Sequence, residues 1–300
     1  MNKVEQIVFE RLTSAMEKGT IPWRRPCMGM LPANLISGKT YRGMNVLLLW
    51  AFTNFKSSYY LTLKQVKELE GRVKYDQFKL GFPIVYWTMF EKEIKGEIKR
   101  FPFLRYSYVY NTDQCDNLSH SRLDKYDRTV SDLFDIGSVS ANTADAIVKD
   151  YQSRQNVAIV FERPGAFYSP SKDNINIADR SKFVSDSAYY STLFHELVHS
   201  TGNINRQNRF EKNRDCTVYT HDFEELVAEI GAAFLCAHCG IEQEFNNNAA
   251  YLQTWMEVFK DDKTMLLKAA GKAQLAVDLI LNTKFDITNK EYETIQESHD

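Results

Sequence analysis

Long hydrophobic runs are missing from this sequence. No stretch reaches eighteen apolar residues, and Val46 to Phe52 is the longest such stretch near the start, so no membrane span is expected. The opening segment Met1-Asn2-Lys3-Val4-Glu5-Gln6-Ile7-Val8-Phe9 carries acid where a signal peptide needs an apolar core, and reads as an amphipathic helix. Cysteine is scarce and odd in number: Cys27, Cys115, Cys216, Cys236 and Cys239 are the five. Wide spacing excludes a disulfide scaffold and predicts reduced thiols in a cytoplasmic chain. Cys236-Ala-His-Cys239 is formally a CxxC, but it lies inside a helical pattern with no second pair, which predicts two buried helix thiols. Internal repeats and low-complexity tracts are absent as well. Histidine is also rare, with six in 300 residues, so a closely spaced pair carries information.

Charge is present in near balance, at a net −2, but it is unevenly placed. Residues 1–130 hold 21 Lys and Arg against 13 Asp and Glu, and residues 131–300 hold 16 against 26. A basic half joined to an acidic half suggests two tasks, and the basic half is the one suited to a polyanion. A solvated surface would carry the same excess.

The periodicity predicts an α+β chain. Val4, Ile7, Val8, Leu12 and Ala15 have the spacing of a helix buried on one face, stopped by Gly19. Ile21-Pro22-Trp23-Arg24-Arg25-Pro26 is a stiff turn with an aromatic beside two cations. A second helix spans about 45–55, and a third opens at Thr62 as N-cap. Residues 82–87 and 103–110 are rich in β-branched and aromatic residues and read as strands of a hairpin whose charged loop is 92–97. Residues 111–140 turn polar and read as a linker. Beyond it, 157–161 and 174–178 read as strands. Helices are expected at 187–201, 222–239, 247–259 and 262–281. The resulting partition is a small helix-and-sheet domain at 1–130, a linker at 131–145, and a mainly helical domain with a short sheet at 146–300.

The sharpest motif is His195-Glu196-Leu197-Val198-His199. Residues i and i+4 share a helix face, so both imidazoles can bind one zinc ion, and Glu196 between them is placed as general base for a metal-activated water. Composition alone would produce this pattern roughly 0.01 times in such a chain. Leu193, Phe194, Leu197 and Val198 make the helix a buried one, and a buried histidine pair needs a partner. For the third ligand, Gly202 fits a metzincin pattern, but Asn205 stands where its ligand would be. Phe223-Glu224-Glu225-Leu226-Val227-Ala228-Glu229 offers two acids on one face, Glu225 and Glu229. This segment resembles the E-x-x-A-D stretch of Glu-ligated zincins, and the resemblance implies Glu225 as ligand with Glu229 behind a ligand histidine. Glu229 as ligand is the alternative. Glu224 is expected to point elsewhere, as an acid matching the helix dipole. Asp173 to Ile177 alternates like an edge strand along which a zincin would lay its substrate. Tyr219 and His221 could approach the metal, or His221 could simply flank the helix.

Taken together the halves resemble the ArdC-type antirestriction proteins, which pair an N-terminal single-stranded-DNA-binding domain with a C-terminal zincin-like metallopeptidase domain. The resemblance rests on Gly19-Thr20-Ile21-Pro22-Trp23-Arg24-Arg25-Pro26, Tyr41-Arg42-Gly43-Met44-Asn45, Leu61 to Gln65, Phe194 to Gly202, Phe223 to Cys236, and Ala249 to Trp255. Cys27 departs from the family's second tryptophan after that proline. The basic, Gly-rich turn of the family is here Lys74-Tyr75-Asp76-Gln77-Phe78-Lys79. The resemblance implies single-stranded DNA as partner, with Trp23, Arg24, Arg25, Tyr41, Arg42 and Trp87 of the right kinds to contact it. Core packing is the competing expectation for each aromatic. Three functions follow: a mobile-element antirestriction protein that binds DNA and carries a zinc peptidase site, a peptidase for a host protein with DNA only as tether, and a binding protein with idle or structural zinc.

Overall fold

A computed structural model describes residues 3–24, 30–51, 55–94, 97–123, 137–210, 221–242 and 249–283. The chain is α+β, as the periodicity predicts. Helix α1 (Lys3–Glu17) buries Val4, Val8, Leu12, Ala15 and Met16 along one stripe. Gly19, at φ +83°, closes it, with its N–H on the Met16 carbonyl at 2.8 Å. Helix α2 (Met44–Trp50) is buried almost all round. Thr62 caps α3 (Leu63–Glu68) through a reciprocal box with Gln65.

The first sheet runs β1 (Ala33–Asn34), β2 (Tyr59–Thr62), β5 (Glu97–Asn111), β4 (Phe82–Ile94) in spatial order. The hairpin β4–β5 is in register from Phe82 opposite Val109 to Ile94 opposite Glu97, so the two expected strands are real and longer than read. A small ribbon pairs β3 (Arg72–Val73) with β6 (Cys115–Asp116).

Two stretches expected in the linker are ordered structure. Asn111, fully buried, caps a 3-10 turn at Thr112–Gln114, and β6 follows it. Helix α4 (Gly137–Gln155) occupies 137–145. Asn111 there serves as a cap and Asn142 as exposed helix surface, roles that composition cannot separate from loop. Residues 124–136 lie outside the described residues.

The second sheet has the order β7 (Ala158–Val160), β9 (Asn174–Asn176), β8 (Phe167–Ser169). Strand β9 is therefore central. It was expected at an edge, but the short β8 folds back beside it through a turn in which Asp173 takes φ +49°. Helices α5 (Asp186–Ser200), α6 (His221–Cys239), α7 (Ala249–Asp261) and α8 (Met265–Ile280) follow. Ser185 caps α5 by accepting the Ala188 N–H. Helix α6 is the centre, packed against α5 on one side and α8 on the other. Cys236 and Cys239 are buried free thiols on it, as expected. The main core draws Val8, Leu12, Trp23 and Leu47 together with Phe194, Leu226, Ile230 and Ala273. Among the described residues no helix is long and apolar enough to cross a membrane.

Candidate metal centre

The close approach of α5 and α6 makes the site. Gly231 faces Val198, and a Cβ on Gly231 would lie 2.7 Å from a Val198 methyl. Without that side chain the helices meet, and the first turn of α6 comes up beside the last turns of α5. His195 and His199 present their Nε2 atoms 3.0 Å apart. The Glu225 carboxylate spans them, with Oε2 3.4 Å from His195 Nε2 and Oε1 3.4 Å from His199 Nε2. Ligand atoms of these three residues all lie within 4.8 Å of one another. Two imidazole nitrogens and one carboxylate oxygen on converging helices are a donor set that could hold a divalent metal ion such as zinc. The donors fit the metal.

The charges around this trio are set by its neighbours. Hydrogen bonds from the two histidines hold the Glu225 carboxyl far below the ordinary carboxylate range. Burial works against a cation at His199, yet Glu224 and Glu225 outweigh it and raise its pKa to about 9. Glu196 is buried between the ligands, and burial pushes its carboxyl upward, with the two histidines pulling the other way. The backbone of Tyr168 in β8 lies beside that carboxylate and favours its charged form. The edge strand beside Glu196 is therefore β8.

Glu224 stands in the first turn of α6, as expected, but it does not point away from the histidines. It is buried, and Arg209 donates to both of its oxygens, at 2.6 and 3.0 Å. Its Oε1 also faces His199 Nδ1 at 3.4 Å. Arg209 is itself buried and further donates to Thr201 Oγ1 at 2.6 Å and the Val198 carbonyl at 2.9 Å. This acid behind the ligand histidine is the role the sequence reading gave to Glu229.

Glu229 does something else. Trp23 Nε1 donates to it at 2.8 Å, Tyr251 Oη donates to the same oxygen, and Arg24 Nη2 lies 3.3 Å from the other. The described group that could hold a metal is His195, His199 and Glu225, without Glu229. His221, at the start of α6, is largely exposed with Nδ1 3.4 Å from Glu225 Oε1, so it borders the site. Tyr219 lies outside the described residues.

Of the residues expected on DNA, Trp23, Arg24, Tyr41 and Arg42 are not gathered in one open surface. Trp23 is 1% exposed, edge-on to Trp255 and Phe259, and has no free ring face for a base. Arg24 stacks on the Tyr251 ring at 3.4 Å. Arg42 is ion-paired to Asp278 at 2.5 Å, and the neighbouring Gly43 N–H donates to Gln274 at 2.8 Å. Tyr41 is half-buried and edge-on to Tyr60, and burial raises its hydroxyl above the usual tyrosine range. Trp87 sits in β4 opposite Leu104. Arg25 lies outside the described residues.

Comparison with known proteins matches two separate stretches of the chain. Residues 2–110 match the N-terminal domain of the anti-restriction factor ArdC, and residues 143–272 match a zincin-like metallopeptidase family. Crystal structures of the antirestriction ArdC protein from plasmid R388, one metal-free and one Mn(II)-bound, align with TM-scores of 0.73 and 0.72. Both are 33% identical and are covered over 100% of their length by 95% and 96% of this chain. DNA primase TraC of Escherichia coli is 28% identical over 91% of this chain, and the chain spans 26% of that primase's length. Uncharacterized protein y4eC of Sinorhizobium fredii is 26% identical, with 90% of each chain covered.

Proposed function

This chain belongs to the ArdC family of antirestriction proteins, and from that premise we propose that it binds single-stranded DNA through its basic half and hydrolyses a peptide bond at a zinc site in the other. The observation that carries the enzymatic part is the convergence of His195, His199 and Glu225 on one point with Glu196 beside them. A zinc ion held there would polarise a carbonyl and acidify water. Glu196 would accept a proton from that water, and burial, which raises its carboxyl above the ordinary range, favours its holding one. A peptide would add to the free edge of β8 by backbone hydrogen bonds. His221, whose Nδ1 is 3.4 Å from Glu225, is placed to donate to a developing oxyanion.

Zinc is preferred over the Mn(II) seen in the relative because imidazole donors bind zinc more tightly in the general order of divalent metals. By family membership the setting is a mobile element entering a host by conjugation, and the peptide substrate is a host protein met on DNA in the cytoplasm. The test is metal content and peptide hydrolysis on the full chain. Wild type should hold one zinc, Glu196→Gln should hold one zinc without activity, and Glu225→Ala should hold none while Glu229→Ala keeps it. A fully metallated Glu225→Ala variant would overturn the ligand set.

A further inference from the structure

The basic half must present a surface for DNA, and Trp23, Arg24 and Arg42 are engaged elsewhere. A different part of that half is open. The 3-10 turn Tyr75–Leu80 contains no buried residue. Three of its six side chains are large and exposed: Tyr75 at 100%, Leu80 at 54% and Phe78 at 50%. Apolar groups clustered in this way on a soluble surface mark a binding site more often than isolated ones do.

The exposure does not come from a frayed loop. The Lys74 N–H donates to the Gln114 carbonyl at 2.9 Å, Tyr110 Oη to the Phe78 carbonyl at 2.9 Å, and Gln114 Nε2 to the Leu80 carbonyl at 3.2 Å. Phe78 stacks on Tyr110 with ring centres 6.1 Å apart and planes at 25°. The turn is thus braced from β5 and the Thr112–Gln114 turn, with Tyr75 fully exposed and half of Phe78 left open beyond its contact with Tyr110.

The aromatic row continues on the sheet. Along β5 the side chains alternate, so Tyr106, Tyr108 and Tyr110 share one face while Ser107 and Val109 are buried on the other. Tyr108 is 48% exposed and lies edge-on to Tyr106 at 5.8 Å. Gly81 brings the turn against this row, since a Cβ there would meet Tyr110 and Tyr108 at 3.2 to 3.4 Å. Beside the turn is a groove of about 890 Å³ lined by Arg72, Lys74, Lys79, Tyr75, Phe78 and their neighbours. Two acids also line it, Asp76 and Asp116. Asp116 pairs with Arg72 at 3.5 Å, and Lys74 Nζ donates to the Asp113 carbonyl at 2.8 Å. The lining keeps an excess of cations.

Solvent-facing aromatics on a sheet and a rigid turn, bordered by cations, fit one chemistry: unpaired bases stacking on rings while phosphates meet ammonium and guanidinium groups. A duplex has no free base faces to offer. We propose that Tyr75, Phe78 and Tyr108, with Arg72, Lys74 and Lys79, form the surface on which single-stranded DNA lies. This rests on the reading that the chain binds such DNA at all.

The experiment is fluorescence anisotropy of a labelled oligodeoxythymidylate titrated with the full chain at several salt concentrations. Tyr75→Ala and Tyr108→Ala should each weaken binding roughly five- to a hundredfold with the salt slope unchanged. Tyr75→Phe, which keeps the ring, should bind as wild type. Lys79→Ala should flatten the slope of log affinity on log salt by about 0.7. All these side chains are exposed, so melting temperatures should match the wild type, and titration well below the melt removes any effect of unfolding. Wild-type binding with every variant unchanged overturns this surface but leaves DNA binding standing. No binding by the wild type overturns the parent reading, and this surface with it.

Discussion

Glu224 is the residue whose replacement best separates support of the metal site from support of the fold. Its carboxylate is buried, takes two hydrogen bonds from Arg209 and faces His199 Nδ1. Glu224→Leu leaves the Arg209 guanidinium buried without its charge partner, and breaking such a pair costs about 3–5 kcal/mol. Glu224→Leu/Arg209→Met removes both charges and should recover part of that loss. Recovery stays partial because the Val198 carbonyl and Thr201 hydroxyl also lose their donor. Metal affinity should behave differently. Loss of the group behind a ligand histidine lowers affinity by roughly 10–100-fold, and the double variant restores nothing at His199 Nδ1. Zinc competition against a chromophoric chelator, paired with calorimetric melting of metal-free protein, measures both quantities. Stability that recovers while zinc affinity stays low is the expected pattern. Zinc affinity returning in step with stability would refute the positioning role and leave Glu224 a purely structural anchor.

Other predictions address packing and pH. Trp23→Ala should destabilise the protein by about 3–5 kcal/mol as a buried aromatic and leave DNA affinity unchanged at temperatures where the variant is folded, checked by melting and anisotropy. Gly231→Ala sets a methyl against the branched Val198 side chain, and should cost about 1–3 kcal/mol while weakening zinc binding by spreading α5 from α6, read by melting and zinc titration. At Asp173 burial opposes ionisation, but Arg206 and the Tyr168 hydroxyl hold its pKa below the ordinary 3.8. Its contribution is therefore complete above pH 3.8 and lost as pH falls through the lowered native value. Asp173→Asn should flatten the acid side of a stability-against-pH curve, and an unchanged curve would contradict the assignment.

The local parts of the site were legible and the tertiary parts were not. HExxH announces itself because both ligands lie on one face of one helix, which a spacing rule captures. Glu225 came from its likeness to Glu-ligated zincins. Glu224, and not Glu229, stands behind His199 for a geometric reason. Glu225 and Glu229 share a face, but four residues advance a helix by about 6 Å. By Glu229 the helix α6 has passed the histidines and meets the Trp23–Arg24 turn and Tyr251 instead. Glu224 lies round the helix from Glu225, on the side that reaches Arg209 and His199 Nδ1, a fact fixed by where the loop after α5 runs. A similar limit hid β8. Phe167–Ser169 is too short for a period to register, and only its pairing makes β9 a central strand.

The charge asymmetry shows how a correct count can be read too simply. An excess of cations in residues 1–130 and of anions in 131–300 suggests a half that meets a polyanion and a half that does not. Part of that complementarity is spent between the halves themselves: Arg24 reaches Glu229 and Arg42 reaches Asp278. Around these pairs lies a shared core in which Val8, Leu12, Trp23 and Leu47 pack with Phe194, Ile230 and Ala273. A cut at residue 130 would expose both sides of that core and strand the Glu229 carboxylate. The two tasks proposed for this chain therefore belong to surfaces of one packed body. Arg24 and Arg42 are held in that seam, so the DNA reading falls on cations outside it: Lys79, with Arg72 and Lys74, whose contacts to Asp116 and the Asp113 carbonyl lie at the exposed groove.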